Sequence, residues 1–144
     1  MSVSISYVIS SADLSAIKTC SSQSGVFPGT NLANCQFIAA DIKACQAKGK
    51  TVTLSLGGAT GAAVFSSGAQ AKFFGNTIWN LFLGGSSSTR PFGNAVLDGY
   101  VTLHCIGYCL AFPSIDLDLE GGSGQYLSTF VSTIRSLSNG ANKK

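Results

Sequence analysis

Three acidic residues alternate with apolar ones in the sequence SIDLDLE, residues 114–120. Because successive side chains of a β-strand point to opposite faces, this pattern predicts a strand with an apolar face and an acidic face, the latter formed by Asp116, Asp118 and Glu120. Two glycines follow directly, so we expect the carboxylates to crowd a confined space. Crowded carboxylates lose their protons at different pH values, and one that stays protonated near neutral pH can act as a general acid.

Two other interpretations of the acidic face remain open. The carboxylates could be solvated groups on an edge strand, or they could bind a hard cation through their oxygen atoms. A nucleophilic triad is excluded, because the single histidine, His104, lies inside an unusual apolar segment. We therefore favour carboxylate catalysis, and we expect neither a metal ion nor a cofactor.

A fourth acid, Asp98, lies upstream in the sequence AVLDG, which also reads as a strand. The segment YVTLHCIGYCLAFPS, residues 100–114, separates Asp98 from the other three acids. We expect this segment to split the strand and to displace Asp98 from the acidic face.

Helices and strands alternate along the rest of the chain. Apolar residues recur at helical spacing in residues 37–48, which Gly49 ends, in residues 68–84 and in residues 126–138. The sequence KTVTLSLGG predicts a strand that is buried on both faces and closed by Gly57 and Gly58. Residues 20–35 have loop composition, and Cys20 and Cys35 at its ends form a candidate disulfide.

Crossovers of helical length between successive strands favour parallel strands in an α/β fold. Sites in such folds lie at the carboxyl ends of the strands, which is where both the glycines and the acids fall. The sequence therefore places Gly57, Gly58 and the acidic face at one end of a parallel sheet.

Composition narrows the class of protein further. The chain has 144 residues, of which 45% are hydrophobic and 10% charged, as expected for one globular domain. The net charge of +3 is not arranged as a basic patch, so we expect no nucleic-acid partner. We also expect no membrane association, because the longest apolar run is shorter than the roughly 20 residues of a membrane helix. Five cysteines leave one unpaired in an oxidised chain, and the first residues make a poor signal peptide.

These motifs resemble the fungal and plant class III chitinases of glycoside hydrolase family 18. That family carries an SxGG signature, here Ser55-Leu56-Gly57-Gly58, and a DGxDxDxE signature, which residues 98–99 and 115–120 contain in two pieces. The resemblance runs from about Cys20 to Leu137 and implies a partial (β/α)8 barrel, from the second-strand region to the helix after the fourth strand, within one domain of residues 1–144. It implies an extracellular monomer that binds chitin or N-acetylglucosamine oligosaccharides.

The resemblance also assigns roles to the site residues. Glu120 would protonate the glycosidic oxygen, Asp118 would orient the N-acetyl group of the substrate, and Asp116 would support Asp118. The family's substrate-binding glycines correspond to Gly57 and Gly58, and the supporting positions are Asp98 and Ser55. The family pairs the position of Cys45 with a cysteine near its first strand, a part of the barrel that the resemblance does not cover.

One departure from the family pattern explains the apolar segment. Removal of Tyr100 to Ser114 joins Gly99 to Ile115 and restores AVLDGIDLDLEGG, with an unbroken DGxDxDxE. The codons of Gly99 to Val101 can contain an intron start, and an AGY codon for Ser114 supplies the terminal AG, so splicing leaves a glycine codon in frame. We interpret residues 100–114 as a retained intron; a genuine surface insertion is the alternative. We expect this chain to be inactive alone, and the other functions considered are a chitin-binding lectin-like protein and a non-functional fragment.

Overall fold

A computed structural model describes residues 25–50, 52–57, 65–98, 115–118 and 124–141. In these ranges the chain forms a short 3-10 helix and then alternates helices with strands, as the sequence predicts. The elements are the 3-10 helix Gln36–Ile38, α1 Ala39–Ala47, β1 Leu54–Gly57, α2 Gly68–Phe82, β2 Ile115–Asp118 and α3 Leu127–Asn139.

Helix α1 ends in a tight turn at Gly49, as predicted. Gly49 adopts a φ of +71°, which residues other than glycine rarely adopt. The N–H of Gly49 donates to the carbonyl of Gln46 at 2.9 Å, and the N–H of Lys50 donates to that of Cys45 at 3.1 Å. This pair of bonds is a Schellman motif, which closes the helix and turns the chain towards β1.

Helices α2 and α3 pack directly against each other. Gly75 of α2 allows a close approach, since a Cβ atom there would lie 3.1 Å from Cβ of Thr133 on α3. Beside this contact, Phe65, Phe74 and Phe130 form a triangle with ring centroids 5.5 to 5.9 Å apart. The triangle joins Phe65, three residues before α2, to both helices.

The two strands are hydrogen-bonded neighbours and run parallel, which confirms the predicted parallel α/β arrangement for this part of the chain. Their register pairs Leu54 with Ile115 and Gly57 with Asp118. Helix α2 lies between them in the sequence, and so the crossover is helical, as parallel pairing requires.

Residues 95–98, predicted as a strand, are not part of a strand in the structure. Asp98 contacts the entry to β1 through two bonds: its N–H donates to the carbonyl of Val52 at 2.8 Å, and the N–H of Val52 donates to its Oδ2 at 3.2 Å. The N–H of Leu97 instead donates to the carbonyl of Phe82 at the end of α2, at 3.1 Å. The prediction was wrong here because the segment divides its backbone bonds between a helix end and the sheet.

Asp98 is hydrogen-bonded to the residue that leads into β1. Its N–H donates to the carbonyl of Val52, and Leu54, two residues further along the chain, pairs with Ile115 of β2. The expected split of the strand and the displacement of Asp98 from the acidic face stay predictions, because residues 99–114 lie outside the described ranges.

A single hydrophobic core joins these elements in the described part of the chain. Its members come from all three helices, from β1 and from the connecting segments. They are Cys35, Ile38, Ile42, Val52, Leu54, Leu56, Phe65, Ala71, Ile78, Phe82, Leu83, Phe92, Ala95, Leu97, Phe130 and Ile134. Phe73, which the helical pattern placed with the apolar stripe of α2, is instead 74% exposed because it lies on the opposite side of the helix from Ala71 and Gly75.

The cysteines agree in part with the sequence prediction. Cys35 is disulfide-bonded, and its predicted partner, Cys20, lies outside the described residues. Cys45 is a free, half-buried thiol. Among the described residues, none of the helices combines the length and apolar character needed to cross a membrane.

Candidate active site

The two predicted signatures meet at the carboxyl ends of β1 and β2. In the parallel register, Ser55 pairs with Asp116 and Gly57 pairs with Asp118. Neighbouring strands lie about 4.8 Å apart, so the backbone of each acid lies directly beside the glycine-rich strand end. The prediction that the two motifs share one end of the sheet is confirmed for these four residues.

Gly57 is the strand partner of Asp118, and this pairing suits a ligand site. A glycine in a strand has no side chain to fill the space above it, which is typical of positions where a ligand or another backbone approaches closely. The structure therefore leaves the place opposite Asp118 free of a β-carbon.

Two predicted site residues lie outside the described ranges. They are Glu120, the expected general acid, and Gly58, the second glycine of SxGG. For Ser55, Asp116 and Asp118 the structure gives the backbone position and the pairing. The catalytic roles of these residues accordingly stay predictions.

Asp98 lies at the other end of β1. Its Oδ2 atom accepts a hydrogen bond from Nε2 of Gln46 at 2.8 Å and another from the N–H of Val52 at 3.2 Å. Val52 precedes β1, whereas Gly57 and its partner Asp118 lie at the carboxyl end. The carboxylate of Asp98 therefore contacts the end of α1 and the entry to β1.

Sequence reasoning missed Gln46. It lies in the last turn of α1, and its amide contacts residues about fifty positions away in the sequence. A helical glutamine gives no local signal of such a contact, since the apolar pattern of α1 is satisfied without it. The partners of Gln46 become visible only in the folded structure, where residues 96–98 lie beside the end of α1.

No group of three or more histidine, cysteine, aspartate or glutamate side chains that could hold a metal ion occurs among the residues that the structure describes. Part of the acidic face lies outside those residues. The cation interpretation of the face is thus an alternative that the geometry leaves untested.

Comparison with known proteins decides the family. No protein-family model matches the chain. The chain is 48% identical over 110 residues to chitinase 1 of Rhizopus niveus and 38% identical over 123 residues to the acidic endochitinase SE2 of Beta vulgaris. These matches cover 76% and 81% of this chain. These matches support a chitinase-like family of the glycoside hydrolase family 18 type. The fungal class III type fits its sequence.

The solved structures agree with this likeness. A chitinase from Ipomoea carnea superposes with a TM-score of 0.61 at 37% identity, over 76% of this chain and 35% of that one. A xylanase and α-amylase inhibitor protein from Scadoxus multiflorus superposes with a TM-score of 0.59 at 27% identity, over 83% of this chain and 40% of that one. The fold of the described residues is consistent with the barrel type of family 18.

The chain described here is much shorter than its relatives. It spans 19% of the Rhizopus niveus chitinase and 37% of the Beta vulgaris endochitinase. The activity of those whole proteins therefore bears on this chain only as a proposal.

Proposed function

We propose that this chain forms part of the catalytic domain of a chitinase, which hydrolyses β-1,4 linkages between N-acetylglucosamine units. The observation that carries the proposal is the parallel pairing of Gly57 with Asp118, which brings the SxGG strand beside the acidic strand. The barrel region involved is the second-strand region through the helix after the fourth strand of a (β/α)8 barrel, with β1 and β2 as its third and fourth strands. Chitin or its oligosaccharides are the proposed partners of an extracellular monomer.

The proposed mechanism gives each of the three acids its own role. Glu120 donates its proton to the oxygen of the bond that breaks, while Asp118 holds the N-acetyl group of the substrate as its carbonyl oxygen attacks the anomeric carbon. Asp116 supports Asp118. Water then completes a retaining reaction, with Glu120 accepting the proton of the water. Asp118 and Glu120 are two residues apart in the sequence, so on a continuing strand they share a face at a spacing of about 6.6 Å.

We further propose that residues 100–114 are a retained intron within the domain of residues 1–144. The sequence supports this interpretation, because removal of residues 100–114 joins Gly99 to Ile115 and restores an unbroken DGxDxDxE.

A non-catalytic protein of the same fold is the second candidate. The likeness to the Scadoxus multiflorus inhibitor protein favours it, since that protein covers more of this chain than the Ipomoea carnea chitinase does. A chitin-binding lectin-like protein belongs to this class, and a non-functional fragment is the remaining alternative. The two classes differ in one measurable property, the release of sugar.

The test compares sugar release from a chitin oligomer by three proteins. The polypeptide of residues 1–144 is expected to release none, because an incomplete set of strands leaves open edges and no enclosed pocket. A completed barrel is expected to release sugar from the oligomer. It lacks residues 100–114 and carries the remaining barrel units of the Rhizopus niveus chitinase. In that barrel Glu120→Gln should reduce turnover by a factor of roughly 100 or more while oligomer binding persists, because the amide has no acidic proton.

Asp41→Asn in the same barrel is the matched control, since it also removes one carboxylate but from an exposed position of α1. It should leave turnover unchanged. Sugar release by the Glu120→Gln barrel would contradict the assignment of the acid. Binding without turnover by the parent barrel would favour the lectin-like class.

A further inference from the structure

Five backbone carbonyl oxygens converge on the side chain of Arg90. A guanidinium carries five N–H groups, one on Nε and two on each Nη atom. In the structure Nε donates to one carbonyl, and Nη1 and Nη2 donate to two carbonyls each, so every N–H has its own acceptor. The acceptors lie 2.7 to 3.1 Å from the nitrogen atoms and belong to Asn80, Leu83, Gly85, Gly93 and Ala95. We name these five carbonyls the carbonyl cage.

The carbonyl cage needs a donor at this place. The last carbonyls of a helix have no donor within the helix, and Asn80 lies in the last turn of α2. Leu83 and Ala95 are 2% and 1% exposed, so water has little access to replace a missing donor. Without a bound cation, several of these oxygens would remain unpaired.

Contacts that do not involve the guanidinium hold the backbone of the carbonyl cage. The N–H of Leu97 donates to the carbonyl of Phe82 at 3.1 Å, and the N–H of Ala95 donates to the carbonyl of Phe92 at 3.0 Å. Phe82 and Phe92 are both buried, with ring centroids 5.7 Å apart. We therefore expect the carbonyl cage to keep its shape when the side chain of Arg90 is removed.

We infer that the carbonyl cage is a guanidinium-binding site, whose ligand this chain supplies itself through Arg90. A covalently attached ligand is present at a high effective concentration, so the site stays filled in the parent chain. Removal of the side chain should leave a site that binds a free guanidinium or alkylguanidinium ion from solution. The inference is independent of chitin hydrolysis.

The geometry of the carbonyl cage fits a planar cation better than a metal ion. A calcium ion takes its oxygen ligands at about 2.3–2.6 Å from a single centre. The oxygens of the carbonyl cage instead lie at hydrogen-bond distance from three different nitrogen atoms. An ammonium ion has too few N–H groups to serve five acceptors. The site should accordingly prefer guanidinium to calcium or ammonium.

The test follows thermal unfolding of Arg90→Ala by circular dichroism while guanidinium chloride is raised to about 20 mM, far below the molar range in which it denatures proteins. For so small a ligand we expect a dissociation constant on the order of 1 mM. At about 10 mM guanidinium, the folded-to-unfolded ratio of Arg90→Ala should then rise roughly elevenfold and approach saturation of the site. The parent chain should show no such stabilisation, because Arg90 occupies the site.

Two small molecules separate the charge from the hydrogen bonds. Urea is planar and carries N–H groups but no charge, whereas tetramethylammonium carries the charge but no N–H group. Both should stabilise Arg90→Ala less than guanidinium does at the same concentration, since charge-assisted hydrogen bonds are the stronger ones. Calcium chloride should have no stabilising effect. Equal stabilisation by any of the three would overturn the inference.

Arg135→Ala is the matched control variant, because it removes an exposed arginine from α3. It should show no dependence on guanidinium, and an equal response there would also overturn the inference. If Arg90→Ala is unfolded without ligand, guanidinium should restore its helical circular dichroism. Failure to restore it would count against the site.

Nuclear magnetic resonance of the isotope-labelled parent chain gives an independent readout. Five hydrogen bonds should prevent rotation of the Arg90 guanidinium, so its Nη hydrogens should give separate signals. They should exchange with water roughly tenfold more slowly than those of the exposed Arg135. A single averaged Nη signal for Arg90, or exchange as fast as that of Arg135, would contradict the carbonyl cage.

Discussion

Arg90 organises the connection between α2 and the segment that ends at Asp98. Its guanidinium donates five hydrogen bonds of 2.7 to 3.1 Å, all to backbone carbonyl oxygens. The acceptors belong to Asn80, Leu83, Gly85, Gly93 and Ala95. Burial lowers the pKa of Arg90, since the charged form loses hydration there. The carbonyls of Asn80, Leu83 and Gly85 lie at or just after the carboxyl end of α2, where cations are favoured, and so they compensate for part of that loss.

Replacement of Arg90 should therefore destabilise the fold more than its partly exposed position suggests. We expect Arg90→Met to lower the free energy of unfolding by about 1–3 kcal/mol, because several carbonyls lose their donor. The free energy of unfolding of Arg90→Lys should lie between those of the parent chain and Arg90→Met, because a lysine has three donors and no planar fork. Urea unfolding followed by circular dichroism measures this series. Equal midpoints for the lysine and methionine variants would show that the fork geometry is unimportant.

At the scale of elements, the contact between α2 and α3 depends on a glycine. A Cβ at Gly75 would lie 3.1 Å from Cβ and Cγ2 of Thr133 and 3.4 Å from the carbonyl oxygen of Phe130. Because the neighbours at 3.1 Å include an atom fixed to the backbone of α3, a larger side chain must separate the helices. The triangle of Phe65, Phe74 and Phe130 would then lose its packing.

We expect Gly75→Leu to reduce the free energy of unfolding by about 1–3 kcal/mol through this overpacking. Lys72→Leu places the same side chain on the same helix at an exposed position and should change stability little. Thermal unfolding of the two variants decides the matter. A Gly75→Leu protein as stable as the Lys72→Leu protein would mean that α3 can move without cost.

The sequence predicted most of these elements because their signals are local. Periodic apolar residues marked α1, α2 and α3, and Gly49 marked the end of α1 by the φ that only glycine readily adopts. Residues 95–98 resemble a strand in composition, yet their hydrogen bonds go partly to Phe82. That choice depends on which backbone groups lie nearby in space, and so composition could not predict it.

The candidate site, too, was predicted from the sequence only in part. Alternation along SIDLDLE and the glycines after β1 predicted where the two motifs meet, and the register confirms the pairing of Gly57 with Asp118. The contact between Gln46 and Asp98 joins residues far apart in sequence, and nothing in either neighbourhood indicates it. Asp98 was expected to be displaced from the other acids, but nothing in the sequence indicated which groups its carboxylate would contact instead.

At the scale of the whole molecule, the length of a deletion tests the intron interpretation. Removal of residues 100–114 leaves Gly99 alone between Asp98 and Ile115 and restores the unbroken DGxDxDxE. We expect the shortened chain to be more stable to urea by about 2 kcal/mol, since a long loop no longer has to be closed. Cross-strand contacts between Leu54 and Ile115 should persist.

Removal of residues 100–113 is the matched control, because it leaves one residue more, Ser114, between the same two points. That residue shifts the alternation by one and would turn the acids to the apolar side, or else force a bulge. We expect this variant to be less stable than the 100–114 deletion. Equal stability and equal contacts in the two variants would contradict the intron interpretation.

The pairing of β1 with β2 in a chain that carries residues 100–114 also marks this point as an acceptor for foreign domains. Leu54 pairs with Ile115 although fifteen residues precede Ile115 that the unbroken signature lacks. We therefore expect a folded module whose own termini lie close together to replace residues 100–114 while the two strands stay paired. A fluorescent or ligand-responsive domain inserted there would be linked directly to the strand of Asp116 and Asp118.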